Sequence, residues 1–152
     1  MNKKFYDALA ASIYLNAMAL NGKRVSTDDQ KLRASGLYDD WTAGSYTVGQ
    51  VFNTHASPGL GKEWEQTWEC FQAYDNAVYP DIVPGTPAWY TFNRPLHGKS
   101  RETARPFVPV QGNHDIYRAG EYMIYTDGLT YRCLQDTSFS PEEYADAWEI
   151  AD

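Results

Sequence analysis

The residues best suited to do chemistry are the adjacent pair His114 and Asp115, in the run Gln111-Gly-Asn-His-Asp-Ile-Tyr117. An imidazole beside a carboxylate can act as half of a general acid–base pair. No serine or cysteine nucleophile accompanies the pair in a recognisable motif, and Cys133 is expected to lie in a core. Short polar side chains in such a run more often hydrogen-bond to the backbone and fix a turn. We therefore predict a structural turn here and no catalytic residues.

A second set of titratable side chains is acidic. Glu63, Glu65 and Glu69 alternate around Trp64 and Trp68, as they would on a strand. A glycosidase needs two carboxylates roughly 5–9.5 Å apart in a cleft. Small β-modules offer no evident cleft, so the sequence disfavours hydrolysis.

Metal chemistry is disfavoured by spacing. His55 and His97 fall in two separate loops without the spacing of zinc ligands. Cys70 and Cys133 are far apart in sequence and form neither a metal nor a redox motif. We therefore expect no metal, no cofactor and no enzymatic activity.

Composition limits the partners. The chain has 152 residues and a net charge of −7, whereas a nucleic-acid binder needs a basic face. The same charge disfavours an anionic membrane surface, and no apolar run approaches the ~20 residues that span a bilayer. Residues 1–21 lack the pattern of a secretory signal because Asp7 interrupts them. We expect synthesis in the cytoplasm, with neither nucleic acid nor membrane as a partner.

The N-terminal region has helical patterns. Apolar residues at four-residue spacing predict a helix over Lys3–Leu20, and Asn21-Gly22 favours its end. Thr27 and the acids after it predict a second helix over Thr27–Ser35, ending at Gly36. Residues 1–37 either pack as a helical hairpin on their own domain or form an attachment and oligomerisation segment. The pattern leaves both alternatives open.

The rest of the chain has strand and turn patterns, clearest near its C-terminus. Glu121–Tyr125 and Leu129–Gln135 predict a hairpin, because Asp127-Gly128 supplies the positive φ of a tight turn. A short helical turn after Ser140 and a last strand, Trp148–Ile150, follow.

The same plan occurs earlier in the chain. Tyr46-Thr-Val-Gly49 matches Tyr117-Arg-Ala-Gly120, Trp68-Glu-Cys70 matches Tyr131-Arg-Cys133, and Trp89 is matched with Trp148. The cysteines then hold equivalent strand positions, and we predict two buried thiols without a disulfide. The predicted fold is mainly β with an α-helical N-terminus and two small tandem β-modules of short antiparallel strands. The modules are residues 38–92 and 107–152, joined by a solvated linker, residues 93–106.

These motifs resemble carbohydrate-binding modules of the chitin-binding type 3 class, also called families 5 and 12. The second module is similar, more specifically, to the C-terminal module of many phage and prophage virion proteins. The motifs that carry this resemblance are Gln111-Gly-Asn-His-Asp-Ile-Tyr117, Gly120, Tyr131-Arg-Cys133 and Phe139-Ser-Pro141. It covers about residues 38–150, and the order of N-terminal helix and two modules is shared as well.

The resemblance implies a non-enzymatic virion structural or accessory protein, such as part of a tail or head fibre. Its partners would be other virion proteins through the N-terminal helices, in a homo-oligomer for which we expect a trimer. A further role in attachment to host surface polysaccharide is implied as well. The alternative is a lectin for cell-wall or chitin-type glycans that is not tied to a virion.

The resemblance also bears on where sugars would bind. Related chitin binders carry exposed tryptophans after the second strand, whereas those places here hold Gln72-Ala-Tyr74 and Gln135-Asp-Thr137. We therefore expect glycan binding, if any, in the first module, on the rings of Trp64, Tyr74 and Tyr79. The framework rings are assigned to the two cores: Trp41, Trp89, Trp148, Tyr117 and Tyr131.

Overall fold

A computed structural model of the chain describes residues 3–5, 8–9, 27–55 and 65–152. Residues 3–5 and 8–9 have helical backbone, and the rest of the first predicted helix lies outside the described residues. The first complete helix, α1, is Asp28–Arg33. It begins at a capping box, in which the Thr27 hydroxyl accepts from the Gln30 N–H and the Gln30 side chain accepts from the Thr27 N–H. The helix starts where the sequence predicted and passes into a 3₁₀ turn, Ser35–Leu37.

The described chain is mainly β, with few and short helices. Its remaining elements are β1 (Ser45–Tyr46), β2 (Val51–Thr54), β3 (Gln66–Cys70), β4 (Tyr74–Asp75), α2 (Trp89–Phe92), β5 (Asn93–Pro95), β6 (Arg105–Pro106), β7 (Tyr122–Ile124), β8 (Thr130–Cys133) and β9 (Trp148–Ile150). A three-stranded antiparallel sheet, the first sheet, has the order β2-β3-β5. A four-stranded sheet has the order β6-β7-β8-β9, in which only β6 runs parallel to its neighbour. Strands β1 and β4 form a separate pair.

The hairpins β2–β3 and β7–β8 share one hydrogen-bond pattern. Each is entered through a glycine with positive φ, Gly49 at 94° and Gly120 at 90°. The N–H of Gly49 donates to the carbonyl of Cys70, and that of Gly120 donates to the carbonyl of Cys133, both at 2.8 Å. The cross-strand partners then follow the same sequence of positions: Val51↔Glu69, Phe52↔Trp68 and Asn53↔Thr67 in the first hairpin, Tyr122↔Arg132, Met123↔Tyr131 and Ile124↔Thr130 in the second.

The strand that pairs with each hairpin, β5 or β9, corrects the match of Trp89 with Trp148 that was made from the sequence. Asn93 of β5 lies opposite Cys70, whereas Trp148 of β9 lies opposite Cys133. Asn93 is therefore the counterpart of Trp148 in the pairing, and the match of Trp89 with Trp148 is wrong. Trp89 lies one helical turn earlier, in α2, and reaches its core from there.

Two aromatic cores lie beneath these sheets. We call them the first core and the second core. In the first, Trp41 stacks on Tyr46 at 6.1 Å, and in the second, Phe107 stacks on Tyr117 at 5.3 Å. The five framework rings that the sequence assigned to cores all lie in or against them, which confirms that assignment. The first core contains Tyr46, Phe52, Trp68, Cys70, Tyr74, Ile82, Trp89 and Val108, and the second contains Tyr117, Met123, Tyr125, Cys133, Ala147 and Trp148.

Residues 93–106 differ from the solvated linker that the sequence predicted. They carry β5 and β6, and Leu96, His97, Thr103 and Ala104 are all buried. The backbone of Gly98 accepts the Tyr122 N–H at 2.8 Å, so the segment lies along β7. Composition suggested a solvated connection because Pro, Gly and Ser are common in linkers. These residues instead form sheet edges and tight turns packed between the two hairpins.

Helix α1 and the 3₁₀ turn after it cover the face of the first sheet that lies opposite the first core. The side-chain amide of Asn53 donates to the Ser35 carbonyl at 2.8 Å and accepts from the Thr67 hydroxyl at 2.7 Å. All three residues are buried. Buried polar groups are tolerated when they are hydrogen-bonded, so this contact ties the N-terminal region to one sheet.

Candidate functional site

The three residues predicted to bind glycans have different surroundings. Trp64 lies outside the described residues. Tyr74 is only 6% exposed, and its hydroxyl accepts from the Trp41 indole at 3.0 Å. Burial raises the pKa of Tyr74 to about 12. Tyr79 is 62% exposed, in a turn where its N–H donates to the Asp75 carbonyl.

The expectation of an exposed ring at Tyr74 is therefore wrong. The ring stacks on Tyr46 at 5.2 Å and packs at 5.4 Å from Phe92, inside the first core. A sugar site needs a planar ring that is free to stack. Tyr79 meets that condition, and Tyr74 does not.

A surface groove of about 400 Å³ lies beside strands β1 and β2. It lies beside the connection Thr42–Ser45, which joins the stacked rings of Trp41 and Tyr46. The corresponding rings of the second module are joined by the longer loop Val108–Ile116. Polar side chains at the rim include Asp39 and Asp40. The groove is lined by residues 37–40, 42–46 and 50–52.

Asp115 has the structural role that the sequence predicted. Its side chain is buried, and its carboxylate accepts the N–H groups of Gln111 and Gly112 at about 3.0 Å. The carboxylate thus fixes the turn. The exposed ring of His114 instead packs at 4.5 Å from Phe71, which follows β3.

The same loop joins the two cores. Val108 begins it and is buried within the first core. Its N–H donates to the hydroxyl of Tyr117 in the second core, at 3.1 Å. The side chain of Gln66, in β3, donates to the Pro106 carbonyl of β6 at 2.8 Å. These contacts hold the two sheets against each other.

His97 forms the most enclosed titratable pair of the described residues. Its Nδ1 lies 3.2 Å from the carboxylate of Glu121, and its ring stacks on Tyr117 at 3.8 Å. The same carboxylate accepts the Arg118 N–H at 2.7 Å. Both members of the pair are almost wholly buried. The pair packs the buried segment 93–106 against the second module.

The two thiols lie in matching surroundings. Cys70 donates to the Gln72 carbonyl at 3.1 Å, and Cys133 donates to the Gln135 carbonyl at 2.9 Å. Both are free and buried, which confirms the prediction. Burial raises the pKa of each thiol, that of Cys133 to about 11. The thiolate is the reactive form, so a raised pKa lowers the reactivity of both thiols at neutral pH.

An ion network attaches α1 to the first sheet, and sequence analysis missed it. The Arg94 guanidinium donates two hydrogen bonds to Asp28, both at 2.9 Å, and one to Glu69 at 3.0 Å. Lys31 pairs with the other oxygen of Glu69. Burial opposes ionisation of Asp28, but its interactions with Arg94 and His97 together outweigh burial and hold the pKa of Asp28 below its usual value of 3.8. No sequence pattern links these residues, because helix and sheet partners lie far apart in the chain.

Metal sites and membrane spans are both absent from the described ranges. Residues 3–5, 8–9, 27–55 and 65–152 contain no group of three or more His, Cys, Asp and Glu that could hold a metal ion. Nor does this part of the chain contain a helix with the length and apolar character to cross a bilayer. No family model, curated protein or solved structure matches the chain.

Proposed function

We propose that the chain is a non-enzymatic structural or accessory protein of a phage or prophage virion, which displays two tandem copies of one carbohydrate-binding-like β-module. The observation that carries the proposal is the hydrogen-bond pattern that the hairpins β2–β3 and β7–β8 share. The positive-φ glycines, the thiols and the stacked ring pairs Trp41–Tyr46 and Phe107–Tyr117 occupy equivalent positions in the two hairpins. The motif resemblance of the second module to phage virion proteins supports the virion assignment.

A display or scaffold role is also consistent with the contacts that three acidic side chains make. Asp115 holds a turn, Glu121 pairs with His97, and Glu69 binds Arg94. Each of these carboxylates would be a candidate acid or base in an enzyme, but here Asp115 fixes a turn, and Glu121 and Glu69 each join two segments of the chain. General acid–base catalysis needs a group within reach of a bound substrate.

Attachment to other virion proteins, and assembly into a homotrimer, are assigned to the N-terminal region. Helix α1 binds its own first sheet through Asp28 and Arg94. The attachment role is proposed for residues 1–37 as a whole, because Lys4, before α1, also pairs with Glu65 of the same chain.

The virion assignment is tested on particles. Density-gradient-purified particles from the strain that carries the gene are analysed by quantitative mass spectrometry, with the portal or major capsid protein as the internal standard. We expect the chain at a fixed stoichiometry of multiple copies per particle. Its absence from particles, with the chain free in the lysate, contradicts the proposal.

The lectin is the second candidate function, and the exposed ring of Tyr79 favours it. A single stacked ring contributes ~0.5–1.5 kcal/mol beyond burial, so a site of this kind binds weakly. Retention of the purified chain on chitin, peptidoglycan and host cell walls tests this function. If the chain is retained on none of them, the modules are scaffold alone.

A further inference from the structure

Strand β9 leaves one edge of the four-stranded sheet without a partner among the described residues. The N–H of Leu134 donates to the Ala147 carbonyl, and the N–H of Ala151 donates to the Thr130 carbonyl. In an antiparallel pair the hydrogen-bonded positions alternate. Ile150 therefore lies at a position whose N–H and C=O point away from β8. Its side chain is 59% exposed.

The equivalent edge of the first sheet is blocked. Pro95 of β5 occupies the position that Ile150 occupies in β9, and proline has no N–H to offer. Beyond it, the N–H groups of His97 and Lys99 donate to the carboxylates of Asp28 and Asp29. Proline and covering elements are the usual ways in which proteins protect an edge strand. None of the described residues gives β9 such protection.

We propose that β9 is a self-association edge, on which β9 of a second copy of this chain pairs antiparallel, with Ile150 opposite Ile150. Reciprocal hydrogen bonds join the N–H of each Ile150 to the C=O of the other. In this register the N–H of residue 152 reaches the C=O of Trp148 in the second copy, and the reverse. The two isoleucine side chains lie side by side on one face and cover each other.

A second copy fits this edge because the edge is complementary to itself. A two-fold axis through the Ile150 pair places the same donors and acceptors on both strands. Glu149 falls opposite Ala151 of the second copy and is already neutralised by Arg132 on its own sheet, at 2.5 Å. No like charges face each other across the pair. Because each copy carries a net charge of −7, association should tighten as salt rises.

The contact is short, so the association is weak. Stable interfaces usually bury more than ~1,000 Å² in total, and a three-residue strand supplies only part of that. Sedimentation equilibrium of the full chain, over protein concentrations from micromolar to millimolar and in two salt concentrations, measures it. We expect a mass that rises with concentration and a tighter contact at high salt. A mass that is independent of concentration over this range overturns the proposal.

Two variants and one control identify the edge. Ile150→Pro copies the proline of β5 and removes the N–H, and Ile150→Lys places a charge at the edge; each should raise the dissociation constant at least tenfold. Val48→Lys, at an exposed position outside the strands, should leave it unchanged. The thermal midpoint of each variant shows that it is folded. If both Ile150 variants associate as the native chain does, the proposal fails.

Cross-linking tests the register independently. In a hydrogen-bonded antiparallel pair the Cα atoms lie ~5.5 Å apart, within the range of a disulfide. Ile150→Cys should therefore give a covalent dimer under mild oxidation, while the native thiols stay buried. Glu149→Cys faces Ala151 of the second copy and should cross-link much less. Equal yields from both variants, or none from Ile150→Cys, contradict the proposed pairing.

Discussion

Cys70 and Cys133 hold the same position in two separate ladders, and each thiol donates to the carbonyl two residues further along the chain, at 3.1 and 2.9 Å. Each also lies opposite the third strand of its sheet. Two thiols with one local geometry are expected when a single structural plan occurs twice. The equivalence therefore supports the tandem arrangement, and it can be tested on both sites in parallel.

The first prediction concerns thiol reactivity. Because burial raises the pKa of both cysteines, neither should react with a thiol reagent in the native state near pH 8. After unfolding, both should react. Each thiol has a higher pKa in the folded chain than in the unfolded chain, so the folded chain gains stability that is fully present below pH ~9. This stability is lost as pH rises through the folded pKa, about 11 for Cys133.

Thiol titration with and without denaturant measures the reactivity of the two cysteines. Two reactive thiols in the native chain would contradict the prediction.

The second prediction uses the paired glycines. Gly49→Ala and Gly120→Ala should each lower the free energy of unfolding by about 1–2 kcal/mol, because both residues have positive φ. An added Cβ meets nothing within 4 Å at either site, so the cost is one of backbone conformation alone. Asparagine tolerates this conformation better, so Gly49→Asn and Gly120→Asn should recover part of the loss. Denaturant unfolding gives the values; clearly unequal costs at the two sites would count against a shared plan.

The sequence predicted local features well and long-range ones poorly. Alternation and turn residues located the hairpin that turns at Gly128, and the capping pattern at Thr27 located the start of α1. Those signals lie within a few residues of one another. Burial of residues 93–106 depends on contacts with α1 and β7, which no local pattern contains. The failure at Tyr74 has the same cause, because its partner Trp41 lies in a different segment.

The third prediction concerns the attachment of α1. Asp28→Asn should lower the free energy of unfolding by about 1–3 kcal/mol at pH 7, because Arg94 is left partly buried with a weaker acceptor. The pKa of Asp28 is lowered in the folded chain, so its contribution is present above pH 3.8 and is lost as pH falls through the folded value. The difference between native and variant chains should therefore shrink below pH ~4. Asp146→Asn, at an exposed position, is the control and should change stability by less than ~0.5 kcal/mol. A difference independent of pH would contradict this account.

The fourth prediction concerns the joint between the two cores. Val108 belongs to the loop that leads to Tyr117 of the second core but is only 4% exposed within the first core. Val108→Ala should lower the free energy of unfolding by about 1–3 kcal/mol and leave one cooperative transition. Val78→Ala removes the same atoms from a side chain that is 63% exposed and should cost little. Near-ultraviolet circular dichroism and tryptophan fluorescence report the transition. Two separate transitions in the native chain would show that the modules unfold independently.

The last prediction separates glycan binding from folding. Tyr74→Ala should lower the free energy of unfolding by about 3–5 kcal/mol, because it removes a ring from the first core. Any loss of retention on cell walls in that variant would therefore reflect unfolding.

Tyr79→Ala is the informative change, because the ring is 62% exposed and its removal should alter stability by less than ~0.5 kcal/mol. If Tyr79 stacks on a sugar, its loss should weaken retention on chitin, peptidoglycan or host cell walls roughly two- to tenfold, and Tyr79→Phe should restore it. Val78→Ala, at the neighbouring exposed position, is the matched control. Unchanged retention of Tyr79→Ala on a wall that holds the native chain would remove Tyr79 from the glycan site and leave the prediction to Trp64.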